Sequence, residues 1–208
     1  MTSGGAKFAN GLVISGASGV LDLGGTQVKS VSNIELTDCT ISNGSSTNMS
    51  YGGAITGNGN CTFSNCTFAG NSAGGTLDGV FGGAVTPYGG SFVFSNCVFA
   101  SNYAQYGGAV EPVGAARVFL TGCTFSNNSA SQNIMGAAVF MHNNASATLT
   151  ISNCFFGSGQ NINTYNGSNT IILQGVNKTL GLISEVWGYK KAYYNPHLLL
   201  YPRSNWQH

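Results

Sequence analysis

Phe94-Ser95-Asn96-Cys97-Val98-Phe99 is the middle copy of a phrase that occurs five times in this chain. The others are Leu36-Thr37-Asp38-Cys39-Thr40-Ile41, Phe63-Ser64-Asn65-Cys66-Thr67-Phe68, Leu120-Thr121-Gly122-Cys123-Thr124-Phe125 and Ile151-Ser152-Asn153-Cys154-Phe155-Phe156. Successive cysteines are 27, 31, 26 and 31 residues apart. A repeat of this length is the signature of a solenoid, in which each unit buries its apolar face against its neighbours.

Aligning the copies on their cysteines gives the local geometry. Three residues before the cysteine stand Leu36, Phe63, Phe94, Leu120 and Ile151; five before stand Ile34, Cys61, Phe92, Val118 and Leu149; two after stand Ile41, Phe68, Phe99, Phe125 and Phe156. Minus five and minus three share one face of a strand, and zero and plus two share one, because side chains alternate with period two. The step of three between minus three and zero breaks that alternation. A bend at the two residues before the cysteine, the second of them Asp38, Asn65, Asn96, Gly122 or Asn153, all turn formers, returns both sets to the interior.

A second motif lies between the phrases: Tyr51-Gly52-Gly53-Ala54-Ile55, Phe81-Gly82-Gly83-Ala84-Val85, Tyr106-Gly107-Gly108-Ala109-Val110 and Met135-Gly136-Ala137-Ala138-Val139. Paired glycines suit a tight corner, and the Ala and Ile or Val that follow open a third inward face. Three short strands per turn predict an all-β, right-handed parallel β-helix of six or seven rungs, about 30 Å long at one strand spacing per rung. Helical repeats are excluded, because Gly, Asn, Ser and Thr saturate every window and leave no amphipathic helix. Leu12, Ile14 and Ala17 fit as an earlier rung, and Ile171, Leu173 and Val176 as a later one. The column five residues after the cysteine reads Gly44, Asn71, Asn102, Asn128 and Gly159, which predicts an amide ladder through Asn71, Asn102 and Asn128 that stops at the glycines.

Composition fits one domain with a long core. The hydrophobic fraction is 42%, with 12 Phe and 9 Tyr, while charged residues make up only 6% and the net charge is +1. That balance gives no reason to expect nucleic acid or an acidic membrane surface as a partner. No apolar run approaches the ~18 residues of a membrane span. Met1–Asn10 shows no basic stretch leading into an apolar one, so no signal peptide is visible, and a mature or partial chain is expected.

The Gly-Gly-Ala-(Ile/Val) motifs at residues 52–55, 82–85 and 107–110, with Phe68-Ala69-Gly70-Asn71, Phe99-Ala100-Ser101-Asn102 and Phe125-Ser126-Asn127-Asn128, resemble the repeats of chlamydial polymorphic outer-membrane proteins. The resemblance covers about residues 34 to 160 and implies an extracellular β-helix of the kind found in autotransporter passengers, many of them adhesins. Similar repeats occur in surface proteins of other bacteria and some protists. The chain departs from the pattern at Met135-Gly136-Ala137-Ala138.

Catalytic and cofactor chemistry finds little footing. Carbohydrate-cleaving β-helices need clustered carboxylates, whereas the six acids, Asp22, Glu35, Asp38, Asp78, Glu111 and Glu185, share no column. Glu111 follows its glycine strand where the matching residues are Thr56 and Thr86. His142, His197 and His208 are scattered without metal-ligand spacing and read as surface residues. Neither a catalytic, cofactor-binding nor metal site is assigned. Cys39, Cys66, Cys97, Cys123 and Cys154 read as a structural ladder of small buried hydrophobes; one or two disulfides between rungs are the alternative. The plus-one column of Thr40, Thr67, Val98, Thr124 and Phe155 is too interrupted for a flat ice-binding array.

Eight Asn-x-Ser/Thr sequons, at Asn43, Asn48, Asn60, Asn65, Asn127, Asn144, Asn166 and Asn177, are glycan candidates if the chain is secreted from a eukaryote. From Leu180 the composition changes: Trp187, Tyr189, Tyr193, Tyr194, Tyr201 and Trp206 appear, with Glu185, Lys190, Lys191 and Arg203. Residues 1–179 are therefore read as β-helix and 180–208 as a C-terminal cap or docking arm. The expected function is a non-enzymatic extracellular structural or adhesive rod. Its expected partners are itself, head to tail in a filament, or a neighbouring surface protein, with glycans as further partners. The alternative is a carbohydrate-binding or carbohydrate-cleaving, pectin-lyase-like β-helix.

Overall fold

The computed structural model describes residues 13–25, 27–31, 33–46, 52–74, 81–131, 136–142, 146–164, 169–179, 183–185 and 192–194. Every strand pairing among them is parallel, and each joins a residue to its counterpart one turn further along. Glu35–Ser42 is followed in one ladder by Thr67–Ala69, Val98–Ala100, Thr124–Ser126, Phe155–Phe156 and Lys178–Thr179. The ladder of strands preceding each cysteine runs through Ile55–Ser64, Val85–Ser95, Arg117–Thr121, Thr148–Ser152 and Thr170–Gln174 to Ala192–Tyr194. A sheet of two-residue strands, Ser45–Ser46, Ser72–Ala73, Tyr103–Ala104 and Ser129–Ala130, closes four consecutive turns. The molecule is a parallel β-helix with about four complete turns among the described residues, fewer than the six or seven rungs expected, because there the outermost rungs pair on only some of their faces.

The bend before each cysteine has a single backbone cause. Asp38, Asn65, Asn96 and Asn153 adopt φ of 52–54°, and Gly122 and Gly175 adopt 63° and 62°. This left-handed region is one that Asn, Asp and Gly enter at least cost. A second left-handed corner follows four residues after the cysteine, at Asn43, Gly70, Ser101 and Asn127. The glycine pairs make the third. Gly52, Gly82, Gly107 and Gly136 have φ of 58–69°. A Cβ on Gly53 or Gly83 would lie 1.9 or 2.0 Å from the carbonyl oxygen of the next rung's second glycine. Ala137 fills that position in the fourth copy, where the next rung instead presents Asn161, whose side chain accepts the Ala137 N–H.

Inside, the aligned columns become stacks. Rings of Phe63 and Phe94 stack 4.8 Å apart with nearly parallel planes, as do Phe99 with Phe125 and Phe125 with Phe156. That distance is one inter-strand spacing of about 4.8 Å. Phe63 meets Phe68 edge-on at 5.4 Å, so neighbouring columns lock through T-shaped contacts, each worth about 0.5–1.5 kcal/mol beyond its area.

The terminal rungs depart from the expected register. Ile14 pairs with Leu36 as expected, but a shift places Gly19, not Ala17, opposite Cys39. Leu12 lies outside the described residues. At the other end Ile171 and Leu173 pair with Leu149 and Ile151. Val176, however, is 47% exposed, and Asn177 takes the slot beyond Cys154. Gly175 and Val176 lengthen that corner by one residue. Within 180–208, Ile183–Glu185 and Ala192–Tyr194 add parallel strands to Ile162–Thr164 and Thr170–Gln174.

Candidate functional site

The asparagine column is a continuous buried chain of hydrogen bonds. Asn71 donates from Nδ2 to the Ile41 carbonyl at 3.0 Å and to Asn102 Oδ1 at 3.0 Å, and its backbone N–H reaches that same oxygen at 3.1 Å. Asn102 repeats the arrangement with the Phe68 carbonyl and Asn128 Oδ1. Asn128 repeats it with the Phe99 carbonyl and Gln160 Oε1. The Gly44 N–H donates to Asn71 Oδ1 and ends the ladder on one side. On the other, the ladder does not stop at Gly159. One extra residue after Phe156 brings Gln160 into the column, and its Nε2 returns to the Asn128 carbonyl at 3.0 Å. These amides are consumed in joining rungs.

All six cysteines are buried free thiols. Cys66, Cys97, Cys123 and Cys154 each donate to a carbonyl of the preceding rung, on Leu36, Phe63, Phe94 and Leu120, at 3.3–3.4 Å. Hydrogen bonds with their thiol neighbours, Cys97 and Cys154, and then burial push Cys66 and Cys123 well above the usual thiol range. Cys97 and Cys154 are drawn down by accepting from those same neighbours. The hydrophobic cluster that holds the column contains no charged side chain. It lacks the electropositive, partly exposed setting of a reactive cysteine.

Among the sequons, Asn43, Asn60, Asn65 and Asn127 are exposed. Asn65 Nδ2 donates to Asp38 Oδ1 at 3.0 Å, and a glycan there would leave it one hydrogen for that bond. Asn177 is 4% exposed, with Oδ1 accepting the Cys154 N–H and Nδ2 donating to the Gln174 carbonyl. The folded chain does not present Asn177 at its surface. Asn48, Asn144 and Asn166 lie outside the described residues, as do Asp78, His197 and His208.

The polar cluster that sequence columns did not assemble is Glu111 with His142. Val110 pairs with Val139 across adjacent rungs, so Glu111 and the side chains of Phe140 and His142 occupy one outer face. Glu111 is fully buried, and its Oε1 lies 3.2 Å from His142 Nδ1. Its Oε2 has no hydrogen-bond partner among the described residues. His142, a quarter exposed, is no simple surface histidine. Its ring stands edge-on to Phe81, Tyr106 and Phe140 at 5.0, 6.2 and 6.1 Å. Burial holds the Glu111 carboxyl well above its ordinary range, offset only in part by the Gly82 amide, and burial pushes His142 down. Together they favour a pair that retains one shared proton. No group of three or more His, Cys, Asp or Glu able to hold a metal occurs among the described residues.

A family model described as right handed beta helix region matches residues 3–175, and the chain belongs to that family. No curated protein and no solved structure matches.

Proposed function

We propose that this chain is a non-enzymatic structural or adhesive rod, displayed outside the cell or on its surface and able to stack head to tail. The observation that carries the reading is where its polar side chains go. The asparagine column is spent internally, and among the described side chains the carboxylates form no cluster: Glu35 and Asp38 are exposed on one strand, Glu35–Ser42, with Asp38 at its bend, and Glu111 is buried with a histidine. The Gly-Gly-Ala and Phe-x-x-Asn motifs, which resemble those of chlamydial polymorphic outer-membrane proteins, support surface display. Sedimentation over a wide concentration range tests the assembly: growth into long species is expected, and a stable monomer at high concentration refutes stacking.

One observation favours a second reading, action on a polysaccharide. His142 is held through Nδ1 beside the rings of Phe81 and Tyr106, and its Nε2 has no partner among the described residues. Incubation with acidic polysaccharides, with and without calcium, separates the readings. New chain ends that disappear in His142→Ala would replace the rod with an enzyme.

A further inference from the structure

Glu111 stands in a column that the two preceding rungs fill with Thr56 and Thr86 and the following rung with Phe140. Thr86 Oγ1 donates to the Phe81 carbonyl at 2.9 Å and so ties down its own glycine corner, whereas Thr56 Oγ1 donates to the Thr86 carbonyl at 3.2 Å and joins one rung to the next. A carboxyl at the same place is costly to bury, and an unsatisfied buried oxygen calls for a reason. Glu111 lies directly under a corner: a Cβ on Gly107 would sit 2.8 Å from its Cβ. The Gly82 amide that faces its carboxyl already donates to the Tyr106 carbonyl at 2.9 Å.

We infer that Glu111 and His142 form a proton-operated latch on the glycine face: with one proton between them they hold the Gly82 and Gly107 corners closed beneath Phe81 and Tyr106, and losing that proton opens them. The geometry supplies both states. With the proton present, the 3.2 Å contact joins either a carboxylic acid to a neutral imidazole or a carboxylate to an imidazolium, and the pair is neutral overall. When the proton leaves to water, a carboxylate remains under aromatic rings beside a neutral histidine. It regains solvation only by lifting the segments that cover it. The groups facing the pair are few. Phe81, Gly82 and Thr86 on one rung carry no charge; Tyr106 on the next contributes a phenol; Phe140 is apolar. Glu111 has no lysine or arginine ion-pair partner among the described residues. The latch is a property of the fold and holds for a rod and for a polysaccharide-acting chain alike.

Hydrogen exchange at the amides of Gly82, Gly83 and Gly108 reads the opening, because each donates to a backbone carbonyl at 2.9–3.0 Å when closed. After correction for the intrinsic pH dependence, exchange at these sites should climb up to about tenfold per pH unit as the shared proton is lost. The strand Val98–Ala100 should show no such climb. Glu111→Gln, which keeps the shape without the ionisation, should be flat, and Glu111→Thr, the residue of the two preceding rungs, should be flat as well. The titration of His142, assigned among three histidines by its loss in His142→Phe, should have its midpoint moved by Glu111→Gln. A flat wild type, an equal climb in both Glu111 variants, or an equal climb at Val98–Ala100 overturns the latch.

Discussion

Replacing Asn102 with alanine removes the middle member of the buried amide column, and the structure sets the size of the effect. Four hydrogen bonds go: two from Asn102 Nδ2, to the Phe68 carbonyl and Asn128 Oδ1, and two into Asn102 Oδ1, from the backbone and side chain of Asn71. Asn128 Oδ1 keeps the Asn102 backbone N–H, and Asn71 Nδ2 keeps the Ile41 carbonyl. Two donors are then stranded, the Asn71 N–H and one Asn71 Nδ2 hydrogen, while the Phe68 carbonyl keeps its place in the ladder that pairs Thr67–Ala69 with Val98–Ala100. At about 1–3 kcal/mol per buried unsatisfied group, with one water recovering part of the loss, the expected cost is about 2–5 kcal/mol. Urea unfolding should show a midpoint lower by about 1–2 M with an unchanged slope. Asn65→Gly is the control, since its bonds at 3.0 and 3.5 Å are exposed and glycine accepts its φ of 53°; its cost should stay below about 1 kcal/mol. An Asn102→Ala protein within about 1 kcal/mol of wild type, or an Asn65→Gly protein equally damaged, refutes the load assigned to the column.

The remaining predictions follow from other columns. Glu111 has a raised folded pKa, so its contribution to stability is full below its ordinary value of 4.5 and is lost as pH rises through the folded value; His142, lowered from 6.5, acts oppositely and loses its contribution as pH falls. Glu111→Thr should therefore flatten the alkaline decline of stability, whose slope is at most about 1.4 kcal/mol per pH unit per proton, and parallel curves for mutant and wild type would contradict this. Gly83→Ala places a methyl 2.0 Å from the Gly108 carbonyl oxygen and 2.5 Å from that of Tyr103; it should cost several kcal/mol or prevent folding, on the scale of severe core defects of about 4–5 kcal/mol, whereas Ala137→Gly should cost about 1 kcal/mol or less. Thiol titration should find six reactive groups in denaturant and almost none in the folded chain, and fewer than six in denaturant would mean disulfides. In protein from its natural source, an N-glycosidase should release glycans from sites such as Asn43 or Asn127, and a glycan found on Asn177 would contradict its burial.

Stacking explains how much of this was legible in sequence. Each rung repeats the environment of the one below, so Phe68, Phe99 and Phe125 had to share a fate, and the turn formers at Asp38, Asn65 and Asn96 marked the same left-handed corner. Legibility fails where a corner changes length. One residue more before Asn177 put an amide where Val176 was expected, and one more before Gln160 extended a ladder that glycine was expected to end. Neither insertion alters a motif, so only the pairing register reveals it. The Glu111–His142 pair was hidden for a different reason: its members come from different rungs and occur once, so no column contains both. The signal was present in the alignment of Val110 with Val139, which sets Glu111 and His142 on one face.

The most direct test of the rod is electron diffraction or cryo-microscopy of the material in its native state. Head-to-tail stacking of a parallel β-helix predicts filaments whose strong axial repeat is the strand spacing of about 4.8 Å, with strands perpendicular to the long axis. Isolated short particles, with no axial repeat at any concentration, would contradict the account.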